Sequence, residues 1–179
     1  MFISIAKGYE MTHYTKEQIT NIAADVLEMY GQREYPVKIV ALAEALGLSV
    51  YDTIFDRDDV AGMIKANERK IYICKTDSAL RQRFSIAHEI GHYVLHYKSD
   101  EYMNFDENKH ISFRDSLSSL GFSIKEIEAN YFAANILMPH TEVIKLYSDN
   151  LSIADMAKYF AVSQTAMGHR LNFLGLGNE

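Results

Sequence analysis

The chain of 179 residues has room for one domain, or one and a half, with a sizeable core, and its 48% hydrophobic content is ordinary for a soluble globular protein. A formal charge of −6 argues against a nonspecific hold on DNA or on an anionic membrane, and the single cysteine, Cys74, excludes an internal disulfide. That cysteine usage suits a reducing cytoplasm; the apolar run 2–6 is too short and lacks the basic start of a signal peptide, and no later stretch is long enough to span a membrane.

Residues 1–14 read as a loosely held N-terminal extension. Thr15-Lys16-Glu17-Gln18 then has the form of a capping box. Ile19, Ile22, Ala23, Val26, Leu27 and Tyr30 follow at helical spacing, and Gly31 is placed to close that helix. Pro36 suits the first turn of a second helix, in which Ile39, Leu42, Ala43 and Leu46 share a core face and Gly47 stands at the C-terminal cap. Residues 48–55 read as a strand. After the charged turn Asp56-Arg57-Asp58-Asp59, residues 60–65 and 70–75 read as a hairpin turning at Asn67-Glu68. An exposed edge there could pair with an extended peptide backbone, although a plain structural hairpin fits the same residues.

Residues 78–96 hold one glycine and no proline, with Asp77 as the expected N-cap. At about 100° per residue, Leu80, Phe84, Ala87, Ile90, Gly91, Val94 and Leu95 form one apolar arc. His88 and His92, in the pattern H-E-x-x-H, fall one turn apart on the edge of that arc, and Glu89 lies farther round, toward the open side. Two imidazoles at i and i+4 can grip one tetrahedral metal, and the carboxylate beside the first can serve as base toward a water at the open position. His96 continues the series by one turn. A fourth protein ligand would close the site to water, so His96 is expected at the rim or behind a ligand.

The segment 97–121 is the least regular and reads as a solvated insertion, with a lid or a docking surface for a basic partner as the alternative. Tyr93, His110 and Arg114 are candidates for stabilising a developing oxyanion, with nothing to rank them. A second helix over 124–137, with Ser123 as N-cap, offers the third ligand. On its wheel Glu126, Asn130, Ala133 and Leu137 share one stripe, with Ala129 at its side, and the alanines let another helix come close. Glu128 points roughly 160° away, alongside Asn135. Only one of the two acids can face the histidines together with the small residues, and Glu126 is the expected ligand, although it is also placed to serve in a capping box.

After Pro139 the chain reads as three short helices, over 140–147, 151–160 and 164–174, with Ser163 capping the last. The layout of the final pair is that of a helix-turn-helix. Its second helix offers only His169 and Arg170 as cations, and across 140–179 Lys145, Lys158 and Arg170 are outnumbered by Glu142, Asp149, Asp155 and Glu179. A packing or protein-docking role is expected, and DNA binding is not.

H-E-x-x-H followed by Glu126-Ile127-Glu128-Ala129-Asn130-Tyr131-Phe132-Ala133-Ala134-Asn135-Ile136-Leu137-Met138-Pro139 resembles the ImmA/IrrE family of zinc metallopeptidases, and the lead-in Arg83-Phe84-Ser85-Ile86-Ala87 is similar as well. The resemblance spans the chain from near residue 15 to its end. It implies an α+β, zincin-like metallopeptidase domain (15–139) built of helices and a small antiparallel or mixed sheet, followed by a helical segment (140–179) that resembles a helix-turn-helix. It further implies a gluzincin-like site with His88, His92 and Glu126 on zinc and Glu89 as the base. Related peptidases often carry Asp where Asn130 stands; Asn can hydrogen-bond a ligand histidine but adds no charge. The implied substrate is a narrow protein target, a helix-turn-helix repressor of a mobile element or of stress genes encoded nearby. Two other readings stay open: a zinc-bearing regulatory or toxin-like protein that acts by binding a partner, and a DNA-binding regulator with a structural metal.

Overall fold

A computed structural model describes residues 13–30, 34–97, 109–113 and 124–177, with 109–113 described through their backbone alone. The first helix, α1 (Lys16–Met29), begins at the expected capping box. Thr15 Oγ1 accepts from the Gln18 N–H, and the Gln18 side chain accepts from the Thr15 N–H. Tyr30 is its C-cap, and Gly31 lies outside the described residues. The next helix, α2 (Ile39–Ala45), takes Lys38 as N-cap, so Pro36 sits in the turn ahead of the helix and not in its first turn. Gly47 ends it at φ +81°, a backbone that glycine adopts without a Cβ clash, and the Leu48 N–H reaches back to the Ala43 carbonyl at 2.9 Å.

Four strands, β1 (Ser49–Thr53), β2 (Val60–Lys65), β3 (Lys70–Cys74) and β4 (Lys109–Phe113), form one mixed sheet in the order β1-β3-β2-β4. β1 runs parallel to β3, while β2 is antiparallel to both β3 and β4. The β2–β3 connection is a single 3-10 turn, Ala66–Glu68, that exits through a left-handed Arg69. The predicted hairpin is therefore present, but the fourth strand lies inside the segment expected to be irregular. It covers the side of β2 that would otherwise be an edge. Both hairpin strands have partners on each side, and among the described residues the outer strands of the sheet are β1 and β4. The remainder of that segment, 98–108 and 114–121, lies outside the described residues.

Beneath the sheet runs α3 (Ala79–His92). Its N-cap is Ser78, whose Oγ accepts from the Arg81 N–H at 3.3 Å, one residue beyond the expected Asp77. It continues into a π-helical turn, Tyr93–Tyr97. Against it packs α4 (Ile124–Leu137), whose Ala129, Phe132 and Ala133 are fully buried. The two helices meet at Gly91, where a Cβ would stand 3.1 Å from both Cα and O of Ala129 and 3.2 Å from the Phe132 ring. Ser123 lies outside the described residues.

Three more helices, α5 (His140–Ser148), α6 (Ile153–Phe160) and α7 (Gln164–Phe173), follow Pro139, with Ser152 and Ser163 capping the last two through their side chains. They are held to the rest by two arginines. Arg83 of α3 donates from Nη1 to the Val37 carbonyl at 3.0 Å and from Nε to the Ala161 carbonyl at 3.3 Å. Arg170 of α7 is buried and donates from Nε to the Met138 carbonyl at 3.1 Å and from Nη2 to Asn135 Oδ1 at 2.7 Å. Burial pushes the pKa of both guanidinium groups down from the usual arginine range. One continuous apolar cluster links Ile19 and Ala23 of α1 through Ile64, Ile90 and Phe132 to Phe160 and Leu171. Among the described residues no helix is long and apolar enough to cross a membrane.

Helix propensity alone would favour alanine over glycine at 91 by about 1 kcal/mol. The Ala129 backbone cannot yield to a new Cβ, so Gly91→Ala is expected to lower the urea-unfolding free energy and Gly91→Val to lower it further, by about 1–3 kcal/mol. A Gly91→Ala variant more stable than the parent would show that the helices have slack at this crossing.

Candidate metal centre

The α3–α4 crossing brings three donor atoms to one point. His88 and His92 are buried, with their Nε2 atoms 2.9 Å apart. Glu126 reaches across from α4, with Oε1 3.2 Å from His92 Nε2 and Oε2 3.4 Å from His88 Nε2. Zinc bonds of roughly 2.0–2.2 Å at a tetrahedral angle would hold their donors about 3.3 Å apart, so these separations suit one ion. Among the described residues His88, His92 and Glu126 are the group whose ligand atoms can hold a metal, all lying within 4.8 Å of one another.

The surroundings of His88 favour the form that a metal requires. Its Nδ1 lies 2.9 Å from Asn130 Oδ1. An amide oxygen only accepts, so Nδ1 carries the proton and the lone pair of Nε2 is left facing the other two donors. Two imidazoles and a carboxylate are a donor set that zinc accepts. His92 Nδ1 lies 3.1 Å from Nδ1 of His96, whose own Nε2 is 2.9 Å from Glu128 Oε2. His96 is thus a buried residue behind a candidate ligand, and not a rim residue.

The two remaining acids are both buried, which helical angles alone do not show. Glu89 was expected on the open side of α3, but it is fully buried. Strand β2 lies over it at Gly62, where a Cβ would be 3.1 Å from Glu89 Oε1 and 3.5 Å from Ser85 Cβ. The lack of a side chain at 62 is what admits the carboxylate between helix and sheet. Glu128 does turn away from the candidate metal, as its position on the wheel implies, yet it is also buried. Besides His96 it accepts a hydrogen bond from the Tyr14 N–H. Of the oxyanion candidates, Tyr93 sits in the π-turn, partly buried against the core. The side chains of His110 and Arg114 lie outside the described residues.

His88, Glu126 and Asn130 line a cavity of about 830 Å³, together with Ala166, His169 and Phe173 of α7. The second helix of the helix-turn-helix-like pair is therefore a wall of the cleft that the candidate ligands His88 and Glu126 also line. Sequence reasoning did not find Gly62, the clamp made by Arg83, or the pairing of His96 with Glu128. The third signal was present as a histidine four residues after His92 and a second acid in an otherwise apolar helix.

A model of the peptidase family described as the IrrE N-terminal-like domain matches residues 43–172, well over half of the chain. The chain belongs to this family. The match starts inside α2 and ends inside α7, and so takes in both α3 and α4 and most of the C-terminal helices. No curated protein matches the chain. Among solved structures, a Mycobacterium tuberculosis transcriptional regulator is similar with a TM-score of 0.61 at 18% identity, over 92% of this chain and 49% of that one. The likeness is one of fold, and this chain spans about half the length of that protein.

Elemental analysis of purified variants checks the donor set. Glu126→Ala is expected to retain far less than one equivalent of zinc, whereas Glu128→Ala, with all three donors intact, stays near one equivalent at micromolar free zinc. Equal retention by the two variants would remove Glu126 from the donor set.

Proposed function

We propose that this chain is a zinc-dependent endopeptidase of the cytoplasm whose narrow target is a helix-turn-helix transcriptional repressor. In this reading His88, His92 and Glu126 hold the ion and Glu89 is the general base. The observation that carries it is the convergence of two imidazoles and a carboxylate beside a cleft lined by His88 and Glu126, with a further buried carboxylate on the residue next to His88. A purely structural metal has no use for that last group. Family membership supports proteolysis, and a fold shared with a transcriptional regulator is in keeping with a regulatory role.

Zinc bound by these donors supplies Lewis acidity, polarising the scissile carbonyl and lowering the pKa of water to about 7. Glu89 takes the proton of the attacking water and passes it to the leaving amine. Its place under Gly62 restricts its motion and shields it from bulk solvent, which strengthens its interaction with charge developing beside it. Asn130 keeps the His88 ring in orientation. The cleft between α3, α4 and α7, walled by Phe84, Tyr131 and Phe173, accommodates an extended stretch of the target near the candidate ligands. Among the described residues the hairpin strands are paired on both sides, so strand addition by the substrate would use an outer strand, β1 or β4.

DNA is not the proposed ligand of the C-terminal helices. Arg170, the one arginine of α7, is engaged with Met138 and Asn135, and His169 faces the cleft. Binding of the purified protein to duplex DNA at physiological salt should accordingly be weak and indifferent to sequence; a tight, sequence-specific complex would reverse this assignment.

Glu89→Gln separates an enzyme from a partner-binding protein. The variant keeps the side chain's size and is expected to fold and to bind zinc like the parent, yet to cleave the repressor about 10²–10⁴ times more slowly. If it relieves repression in cells as well as the parent does, binding is the function and proteolysis is not.

A further inference from the structure

We propose that His96 and Glu128 are positioning residues which act through His92, fixing its metal-binding tautomer and bringing to the site the negative charge that Asn130 cannot supply. The inference rests on the metal reading above and goes beyond the ligand set. Glu128 is 4% exposed and His96 is 7% exposed, so both polar groups have been withdrawn almost wholly from water. Burying a carboxylate is strongly unfavourable unless it is hydrogen-bonded, and here both oxygens are used: Oε1 by the Tyr14 N–H and Oε2 by His96 Nε2.

The direction of each hydrogen bond follows from that anchor. An ionised carboxylate only accepts, so His96 Nε2 carries a proton. In its neutral form His96 then has a lone pair on Nδ1, which faces His92 Nδ1 at 3.1 Å. With His96 in that form, His92 Nδ1 is the donor and its lone pair is on Nε2, beside His88 Nε2 and Glu126. Three side chains in series thus specify a single tautomer at the candidate ligand. The carboxylate polarises the series toward His92 and makes its Nε2 a better donor to a cation.

The two candidate histidine ligands are supported unequally. His88 leans on a neutral amide, Asn130, whereas His92 leans on an imidazole backed by a carboxylate. His96 is brought to His92 by the π-helical turn Tyr93–Tyr97, and Glu128 is brought to His96 by the same α3–α4 packing that delivers Glu126. Glu126 and Glu128, two residues apart on one helix, serve opposite ends of the His92 ring.

The test is zinc affinity, measured by competition with a chromophoric chelator, together with the visible spectrum of the cobalt-substituted protein. Circular dichroism checks that each variant is folded. Glu128→Gln and His96→Leu should each weaken zinc binding about 10–100-fold and shift the cobalt bands, while His96→Gln, which can still donate and accept, recovers most of the affinity. The double variant His96→Leu/Glu128→Gln should lose no more than the worse single one, because the two act in series. Asn130→Ala combined with Glu128→Gln should multiply the losses, because they act on different ligands. If Glu128→Gln does not fold, the contrast between His96→Leu and His96→Gln decides the matter. Zinc affinities of Glu128→Gln and His96→Leu within about twofold of the parent, well short of the loss given above, would overturn the relay and leave the ligand assignment standing. A parent protein that binds no zinc would overturn both. Neither result bears on Glu89, whose role is read from cleavage.

Discussion

The contact of Gly91 with the backbone of Ala129 is the constraint on which the rest of the centre depends. A Cβ at 91 would come within 3.1 Å of main-chain atoms that cannot move without shifting the whole of α4. With glycine there, the helices close far enough for Glu126 to stand 3.2–3.4 Å from the two imidazole nitrogens. A shift of α4 by a fraction of an ångström would be felt in that triangle, because protein interiors are close-packed and transmit strain. Ala129, Phe132 and Ala133, none of them exposed, fill the crossing and lock the distance.

The same crossing buries polar side chains of α4 along with its apolar ones. Glu126 turns to the candidate metal ligands, Glu128 turns to His96 and to the backbone of Tyr14, and Asn135 accepts from Arg170. Each polar group in its buried half is matched to a specific partner, which is how a helix surrounded by protein tolerates charge. The opposite wall of the site is built by subtraction. The missing side chain at Gly62 lets β2 settle on α3 and hold Glu89 between sheet and helix.

The C-terminal helices belong to this arrangement physically. Arg83 and Arg170 donate to carbonyl and amide oxygens on both sides of the α4–α5 junction, and the apolar cluster runs through it without a break. A layout resembling a DNA-reading motif has its second helix turned toward the cleft. In the proposed peptidase, α7 would meet the substrate beside the candidate metal ligands.

Local pattern was enough to determine much of this protein. The capping box at Thr15, three of the four strands, the helices that carry the candidate ligands and the choice of Glu126 over Glu128 as the residue facing the histidines could all be read from spacing, because periodicity and capping are set within a few residues of each position. Family resemblance added the identity of the chemistry. What spacing could not decide was everything that depends on a distant partner. Glu89 looks exposed on a wheel because a wheel does not know that β2 will lie across it. Spacing leaves the hairpin as either an exposed edge or a plain structural pair, because β4 comes from a segment with no strong pattern of its own. Glu128 and His96 looked peripheral because their meeting requires α3 to continue as a π-turn and α4 to pack within van der Waals contact of Gly91. Helical angle is a property of one chain segment, whereas burial and hydrogen bonding are properties of two, and only the tertiary structure brings the second one into place.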